Sequence, residues 1–183
     1  EKYIKALKEF KEKNGKHKWP LYYYKHTIIY EDGKRETINL GTWCFRQRQR
    51  KKGNGDGKIT EKQIRRLNNI GLIWDPITFV WEKNIKALKE FIDKNGKHQW
   101  PSTNYKHTII YEDGKKETIN LGTWCNKERQ AKKGNGRCKI TKEQIRRLNS
   151  IGFICDSTTF KWEKNFKALK QFKEKHGKHQ WPS

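Results

Sequence analysis

Clusters of arginine and lysine are the part of this sequence best suited to bind a ligand. They fall within residues 46–66 and 127–147, and many are Arg in a chain where Lys is otherwise the commoner cation. A guanidinium group can donate two parallel hydrogen bonds to a phosphate or to a base edge. The candidate nucleic-acid-binding residues are Arg46, Arg48, Arg50, Lys51, Lys52, Lys62, Arg65, Arg66, Lys127, Arg129, Lys132, Lys133, Lys142, Arg146 and Arg147.

These clusters have two interpretations. They can contact phosphates from two neighbouring helices, with the later helix in sequence facing a groove. Alternatively, they can be the solvated faces of a Lys-rich protein. We favour phosphate contacts, and most strongly for Arg48, Arg129 and the pairs at 65–66 and 146–147, because these residues recur at matching positions of a repeat.

Residues for catalysis or metal binding do not form a recognisable pattern. His17, His98 and His179 recur, but the sequence has no Cys-x-x-Cys or His-x-x-x-His spacing for zinc. Residues 52–63 resemble a calcium loop, yet Lys and Gln stand where its first and twelfth positions need carboxylates. No nucleophile is paired in sequence with a base. We therefore expect no catalytic residue, metal or cofactor in this segment.

The four cysteines indicate a reducing environment. Cys44 and Cys125 match between the copies, whereas Cys138 and Cys155 replace other residue types. A disulfide framework would not tolerate that freedom. We expect Cys44 and Cys125 to be small buried hydrophobes, and the protein to be intracellular: in the cytoplasm or nucleoid, or in the nucleus if it is eukaryotic or viral.

The net charge points to a polyanionic partner. The chain holds 43 Lys and Arg against 20 Asp and Glu, a formal charge of +23, divided as +10 over residues 1–81, +9 over 82–162 and +4 over the rest. Because every copy carries the excess, it belongs to the folded unit rather than to a basic tail. No apolar run approaches the roughly 20 residues that span a bilayer, so we expect no membrane partner.

The chain is an internal repeat. Residues 1–81 and 82–162 align without a gap and are identical at 59 of 81 positions, and residues 163–183 begin a third copy. We predict module 1 at 1–77, without the tryptophan that opens the next copy, module 2 at 78–158, and the first helix of a third module at 159–183. Such arrays usually meet extended or periodic partners. We expect the flanks of this segment to carry further sequence.

Each module begins, on this reading, with a helix and a hairpin. Trp81, Ile85, Leu88, Phe91 and Ile92 are spaced as the buried stripe of a helix that ends near residues 95–96, after a short linker at 76–80. Two β-branched runs flanking Asp-Gly then predict a β-hairpin over 106–121, matched by 25–40.

Two more helices complete the predicted module. One starts near residues 122–123 and stops at the glycine-rich stretch 133–136. The other has a capping box, Thr141 with Gln144, repeated as Thr60 with Gln63. The predicted fold is therefore mainly α: tandem three-helix modules, each with a β-hairpin between its first and second helices.

The aromatic residues have two possible uses. Trp43, Trp124, Trp81 and Trp162 lie on the predicted buried stripes, so we assign them to packing. The run at 22–24 is three tyrosines that could stack on bases, although only the last has a match in the second copy.

The pattern resembles the helicase-associated domain family, over the whole chain and twice. The matching motifs are the helix from Trp81 to Phe91, Asn95-Gly96-Lys97-His98, Trp100-Pro101, Leu121-Gly122-Thr123-Trp124, Arg129, Lys133-Gly134, Ile140-Thr141, Leu148 and Ile151-Gly152-Phe153. The family usually closes on Trp-Asp; module 1 keeps this pair, and module 2 has Cys155-Asp156 instead. The resemblance implies small basic helical modules that bind nucleic acid, DNA rather than RNA, alongside a covalently linked helicase motor outside this segment.

Two other functions stay open on the sequence alone. The array could be a protein-interaction scaffold for acidic partners, for which an exposed apolar patch on the hairpins would be evidence. It could also bind RNA, because neither composition nor spacing separates the two nucleic acids.

Overall fold

The computed structural model describes residues 1–96, 99–135, 139–153 and 156–177. His98, Cys138, Cys155 and His179, discussed above, lie outside these residues. Two compact units are present: Glu1–Trp81 with Tyr111–Lys115, and Glu82–Ile110 with Lys116–Ser183.

The described chain is mainly helical, with seven helices and two antiparallel hairpins. In chain order the elements are α1 (Lys2–Asn14), β1 (His26–Ile29), β2 (Arg35–Ile38), α2 (Leu40–Lys51), α3 (Glu61–Asn69), α4 (Pro76–Asn95), β3 (His107–Ile110), β4 (Lys116–Ile119), α5 (Leu121–Lys132), α6 (Lys142–Ser150) and α7 (Ser157–His176). The same sequence of elements therefore occurs from α1 to α3 and from α4 to α6.

The core of the first unit is built from α1, the hairpin and the two following helices. Its buried members are Ala6, Leu7, Phe10, Ile28, Ile38, Leu40, Cys44, Leu67 and Leu72. The hairpin pairs in register from His26 with Ile38 to Ile29 with Arg35. One strand face contributes Ile28 and Ile38 to the core, as the two-residue period of a strand requires.

Polar ties repeat between the hairpin and the first helix of each module. In module 1 the His26 ring Nε2 lies 2.6 Å from a carboxylate oxygen of Glu9 on α1. In module 2 the matching atoms of His107 and Glu90, on α4, lie 2.9 Å apart. The hairpin is thus fixed to the helix by the same pair in both copies.

The predicted buried stripe and both capping boxes are confirmed. Trp81, Ile85, Leu88, Phe91 and Ile92 are all buried. The side chains of Thr60 and Thr141 accept from the N3 amides of α3 and α6, and the Gln63 and Gln144 side chains accept in return from the N-cap amides. Each box satisfies two amides that have no partner within the helix.

The predicted linker at 76–80, and its counterpart at 157–161, is wrong: both stretches are helical. The reason is an aspartate cap. Asp75 accepts from the amides of Ile77 and Thr78 and from the Thr78 hydroxyl, and Asp156 does the same for α7. Proline at the first helical position adds to this start in module 1, since its missing N–H is not needed there.

Within the described ranges, no helix is long and apolar enough to cross a membrane.

Candidate nucleic-acid interface

Arg48, one of the strongest candidates from the sequence, is buried. It lies on the core face of α2 with Cys44, only 8 % of its surface is exposed, and its Nε donates to the carbonyl of Ile73 at 2.8 Å. Burial lowers the pKa of its guanidinium. A side chain so enclosed does not offer its guanidinium to an external phosphate, so we leave Arg48 out of the candidate interface. Arg48 instead ties α2 to the segment after α3.

Arg129, the matching residue of α5, is also directed into its own module. It is half-buried, and its guanidinium carbon lies 4.9 Å from the centre of the Phe153 ring and 6.0 Å from that of Trp100. Stacking on aromatic faces is a use for which Arg is better suited than Lys. The arginine at this position therefore packs within its own module in both copies.

The cations at the end of α2 contact their own module. Arg50 donates from Nε to the carbonyl of Asp56 at 2.8 Å and so holds the glycine-rich turn. The Lys51 ammonium lies 4.3 Å from the centre of the Trp74 ring. Lys52, the next residue, is exposed.

At the end of α5 the matching lysines also have partners. Lys132 donates to the side-chain oxygen of Asn149 at 3.1 Å. Lys133 lies 3.6 Å from a carboxylate oxygen of Asp156, in a half-exposed pair. Such an exposed pair is weak and can exchange for a phosphate, so Lys133 stays accessible to a ligand.

The arginine pairs on α3 and α6 divide into two roles. Arg66 donates to both carboxylate oxygens of Glu1, at 3.0 and 2.9 Å. Arg147 likewise donates to both carboxylate oxygens of Glu82, but through two nitrogens, Nη1 and, at 2.7 Å, Nη2, and hydrogen bonding to Arg147 lowers the pKa of the Glu82 carboxyl. The second arginine of each pair therefore links the third helix of its module to the first.

The first arginine of each pair faces solvent. Arg65 is exposed, and Arg146 pairs with Glu143 on its own helix, with 75 % of its side chain exposed. Arg146 is therefore accessible to a ligand, but less freely than Arg65.

Six of the predicted residues are exposed and, within the described part of the chain, have no ion pair, side-chain hydrogen bond or aromatic contact. We call them the open cations: Arg46, Lys52, Lys62, Arg65, Lys127 and Lys142. They come from α2, α3, α5 and α6 or the residue after α2. Because none of them forms an ion pair among the described residues, their charge is available to an external anion.

Two of the four tryptophans assigned to buried stripes pack against the fold as predicted. Trp43 stacks on Tyr3 with ring centres 5.1 Å apart, and Trp81 is buried. Trp162 is not on a buried stripe, because 59 % of its surface is exposed and it stacks on Phe166 of its own helix.

Cysteine and metal chemistry give no alternative site. Cys44 and Cys125 are free and buried, as predicted, and burial raises the pKa of their thiols to about 11 and about 12. These thiols are therefore not nucleophiles at neutral pH. In the four described ranges, no group of three or more His, Cys, Asp or Glu could hold a metal ion.

The sequence interpretation missed a buried lysine. Lys11 on α1 is 5 % exposed, and its ammonium donates to the carbonyls of Lys16, at 2.8 Å, and Lys18. Burial lowers its pKa to about 8. The only sequence signal is its place on the apolar stripe of α1, where module 2 has Ile92.

Comparison with protein families decides what kind of chain this is. The model of the helicase associated domain matches residues 1–75 and again 78–156. The chain therefore belongs to the helicase-associated domain family. No curated protein and no solved structure matches it. The two family matches correspond to the two series of elements from α1 to α3 and from α4 to α6, so each helicase-associated domain contributes its own open cations.

Proposed function

We propose that this chain is a nucleic-acid-binding accessory array in which each helicase-associated domain is a three-helix unit with a hairpin between its first two helices. The open cations contact the phosphate backbone from the second and third helices, and we favour DNA over RNA. The observation that supports this is that both domains leave cations exposed and unpaired on the same two helices, while other cations serve the fold.

The mechanism is electrostatic and additive along the array. Each phosphate that is neutralised releases condensed counterions, so binding weakens steeply with salt. The first domain supplies four open cations and the second supplies two, so either alone binds weakly. Linking two domains in one chain raises the effective concentration of the second contact, and the array then binds more tightly than either part.

In this proposal the segment binds and does not catalyse. The ATP-driven work that the family name associates with these domains belongs to a covalently linked motor elsewhere. We place the function inside the cell, where nucleic acid is present and Cys44 and Cys125 stay reduced.

A second candidate is a scaffold for acidic proteins. The observation that favours it is the exposure of Ile29 and Ile110, at matching positions on the hairpins, with 60 % and 67 % of their surfaces accessible. Each is one apolar side chain beside exposed threonines rather than a continuous patch, so we place this function second.

The test is a pair of variants with equal net charge. One replaces the six open cations by Glu. The control replaces six exposed lysines of the first helices by Glu: Lys8, Lys13, Lys86, Lys94, Lys164 and Lys167. Affinity for duplex DNA, duplex RNA and an acidic polymer is measured by fluorescence anisotropy.

We expect the first variant to lose at least about 100-fold in affinity for duplex DNA, because each cation neutralises a phosphate, and the control to lose much less. Equal losses in both variants would show that only net charge matters. Binding of the acidic polymer as tight as that of DNA would favour the scaffold.

A further inference from the structure

An exposed aromatic surface in module 1 has no counterpart in module 2. Tyr22 meets Tyr23 edge-to-face, with ring centres 4.9 Å apart, and meets Phe45 in the same way at 5.2 Å. The exposed fractions are 87 % for Tyr23, 46 % for Tyr22 and 41 % for Phe45, and Leu21 beside them is 72 % exposed. We call these four residues the aromatic patch.

The backbone under the patch is held firmly. The Thr42 hydroxyl on α2 donates to the Tyr22 carbonyl at 3.1 Å, and the Gly41 amide donates to the Tyr24 carbonyl at 3.0 Å. A Cβ at Gly41 would stand 1.7 Å from the Leu21 carbonyl oxygen, so only glycine allows this approach. The rings are therefore presented by a fixed segment rather than by a loose loop.

Module 2 has the same backbone contacts beneath the corresponding segment but different side chains on its surface. The Thr123 hydroxyl donates to the Thr103 carbonyl at 3.2 Å, and a Cβ at Gly122 would stand 1.7 Å from the Ser102 carbonyl oxygen. The four patch positions are polar in module 2: Ser102, Thr103, Asn104 and Asn126. Because the backbone ties do not need the aromatic side chains, packing does not explain them.

The charge around the patch identifies its partner. Arg46, an open cation, follows Phe45 directly on α2. The two segments that build the patch contain no Asp or Glu, from residue 13 to 30 and from 37 to 55. Exposed rings and an open cation on the same stretch of chain, with no carboxylate in either segment, suit a strand that offers both bases and phosphates. A duplex hides its base faces, so it would not use the rings.

We infer that the aromatic patch of module 1 is a stacking platform for unpaired bases of a single-stranded nucleic acid, with Arg46 holding the adjacent phosphate. This rests on the proposed function and makes it more specific: both modules hold phosphates, and module 1 alone also takes bases. The two domains then differ in role. Module 2 is a general backbone contact, whereas module 1 favours the single strand that a helicase exposes.

The test exchanges the patch residues between modules in the 183-residue chain. The loss variant carries Tyr22→Thr, Tyr23→Asn and Phe45→Asn, which are the residues of module 2. The gain variant carries Thr103→Tyr, Asn104→Tyr and Asn126→Phe. Neither exchange alters net charge. The probes are oligo(dT), oligo(rU), an abasic strand and duplex DNA, each of about 20 nucleotides, longer than a typical single-strand site.

We expect the loss variant to bind oligo(dT) or oligo(rU) about 10- to 100-fold more weakly, because one or two stacked bases are lost, while its affinity for duplex and abasic strands changes less than about twofold. The gain variant should bind the base-bearing strands more tightly. The two oligomers show whether DNA or RNA is preferred.

An unchanged affinity of both variants for oligo(dT) and oligo(rU) would overturn the stacking platform and leave the patch as a protein-docking surface. Equal losses of affinity on all four probes would overturn it too, because the substitutions would then weaken binding by disturbing the fold rather than by removing base stacking. If the unaltered chain binds duplex and single strands but ignores the exchange, only this inference fails. If it binds none of the probes, the proposed function fails as well.

Discussion

Module 1 and module 2 share their internal ties and differ on their surfaces. The forks of Arg66 with Glu1 and of Arg147 with Glu82 occupy matching positions, as do the hairpin ties of His26 and His107. The four residues of the aromatic patch all differ. The internal ties therefore recur between the copies, whereas the exposed aromatic surface is confined to module 1.

This comparison reverses one inference from the sequence. Arg48 and Arg129 seemed the best phosphate ligands because they recur, yet they recur because each packs inside its module. Lys11 shows the converse, since it is buried in module 1 and is replaced by an equally buried Ile92 in module 2. Module 1 thus tolerates a buried lysine at a position where module 2 has isoleucine.

The largest effect should come from the recurring arginines. Arg48→Ala and Arg129→Ala should each lower the free energy of unfolding by about 2 to 4 kcal/mol, because each removes packing, and Arg48→Ala also frees the Ile73 carbonyl. Urea unfolding measures this. Arg46→Ala and Lys127→Ala, at exposed positions, are the controls and should change it by less than about 0.5 kcal/mol. Similar losses for exposed and buried positions would contradict the division of roles.

A smaller effect is expected on the pH dependence of the unfolding free energy, through the titration of Lys11. Its pKa is about 8 in the folded chain against 10.5 for an ordinary lysine, so between these values the unfolded chain binds more protons. Stability therefore rises with pH in this window, and the penalty of the buried charge is greatest below it. Compared with Lys11→Ile, the unaltered chain should gain about 1 to 2 kcal/mol in unfolding free energy between about pH 7 and about pH 9.5. Parallel pH profiles would show that Lys11 titrates normally.

The smallest effect concerns the repeated fork. Glu82→Gln removes the charge opposite Arg147 in a half-exposed pair, so the unfolding free energy should fall by only about 0.5 kcal/mol. Because the pKa of Glu82 is lowered when folded, its contribution is present above the ordinary carboxyl pKa and is lost as pH falls below it. A loss that is the same in high salt and at low pH would indicate packing rather than charge.

Local signals predicted much of the fold. The Asp-Gly hairpins, the capping boxes at Thr60 and Thr141 and the stripe from Trp81 to Ile92 each depend on residues close in sequence. The start of α4 was also readable, since Asp75 stands three residues before Thr78 as an N-cap would, but the more prominent Trp81 suggested a later start.

The candidate site was less predictable because it depends on distant contacts. The bond from Arg48 to the Ile73 carbonyl joins residues 25 apart, and no local pattern reports it. The aromatic patch likewise needs Phe45 on α2 beside Tyr22, before the hairpin. The sequence could show which residues are basic or aromatic, whereas only the packed modules separate those that face solvent from those that face the core.

The salt dependence of duplex DNA binding tests the central claim most directly. The slope of log affinity against log salt is compared between the variant with all six open cations reversed and its charge-matched control on the first helices. If each of the six open cations holds a phosphate, the first slope should be shallower than that of the unaltered chain by about 5, at roughly 0.9 per phosphate, and the control slope nearly unchanged. Equal slopes for the two variants would show that phosphate is not held by the second and third helices.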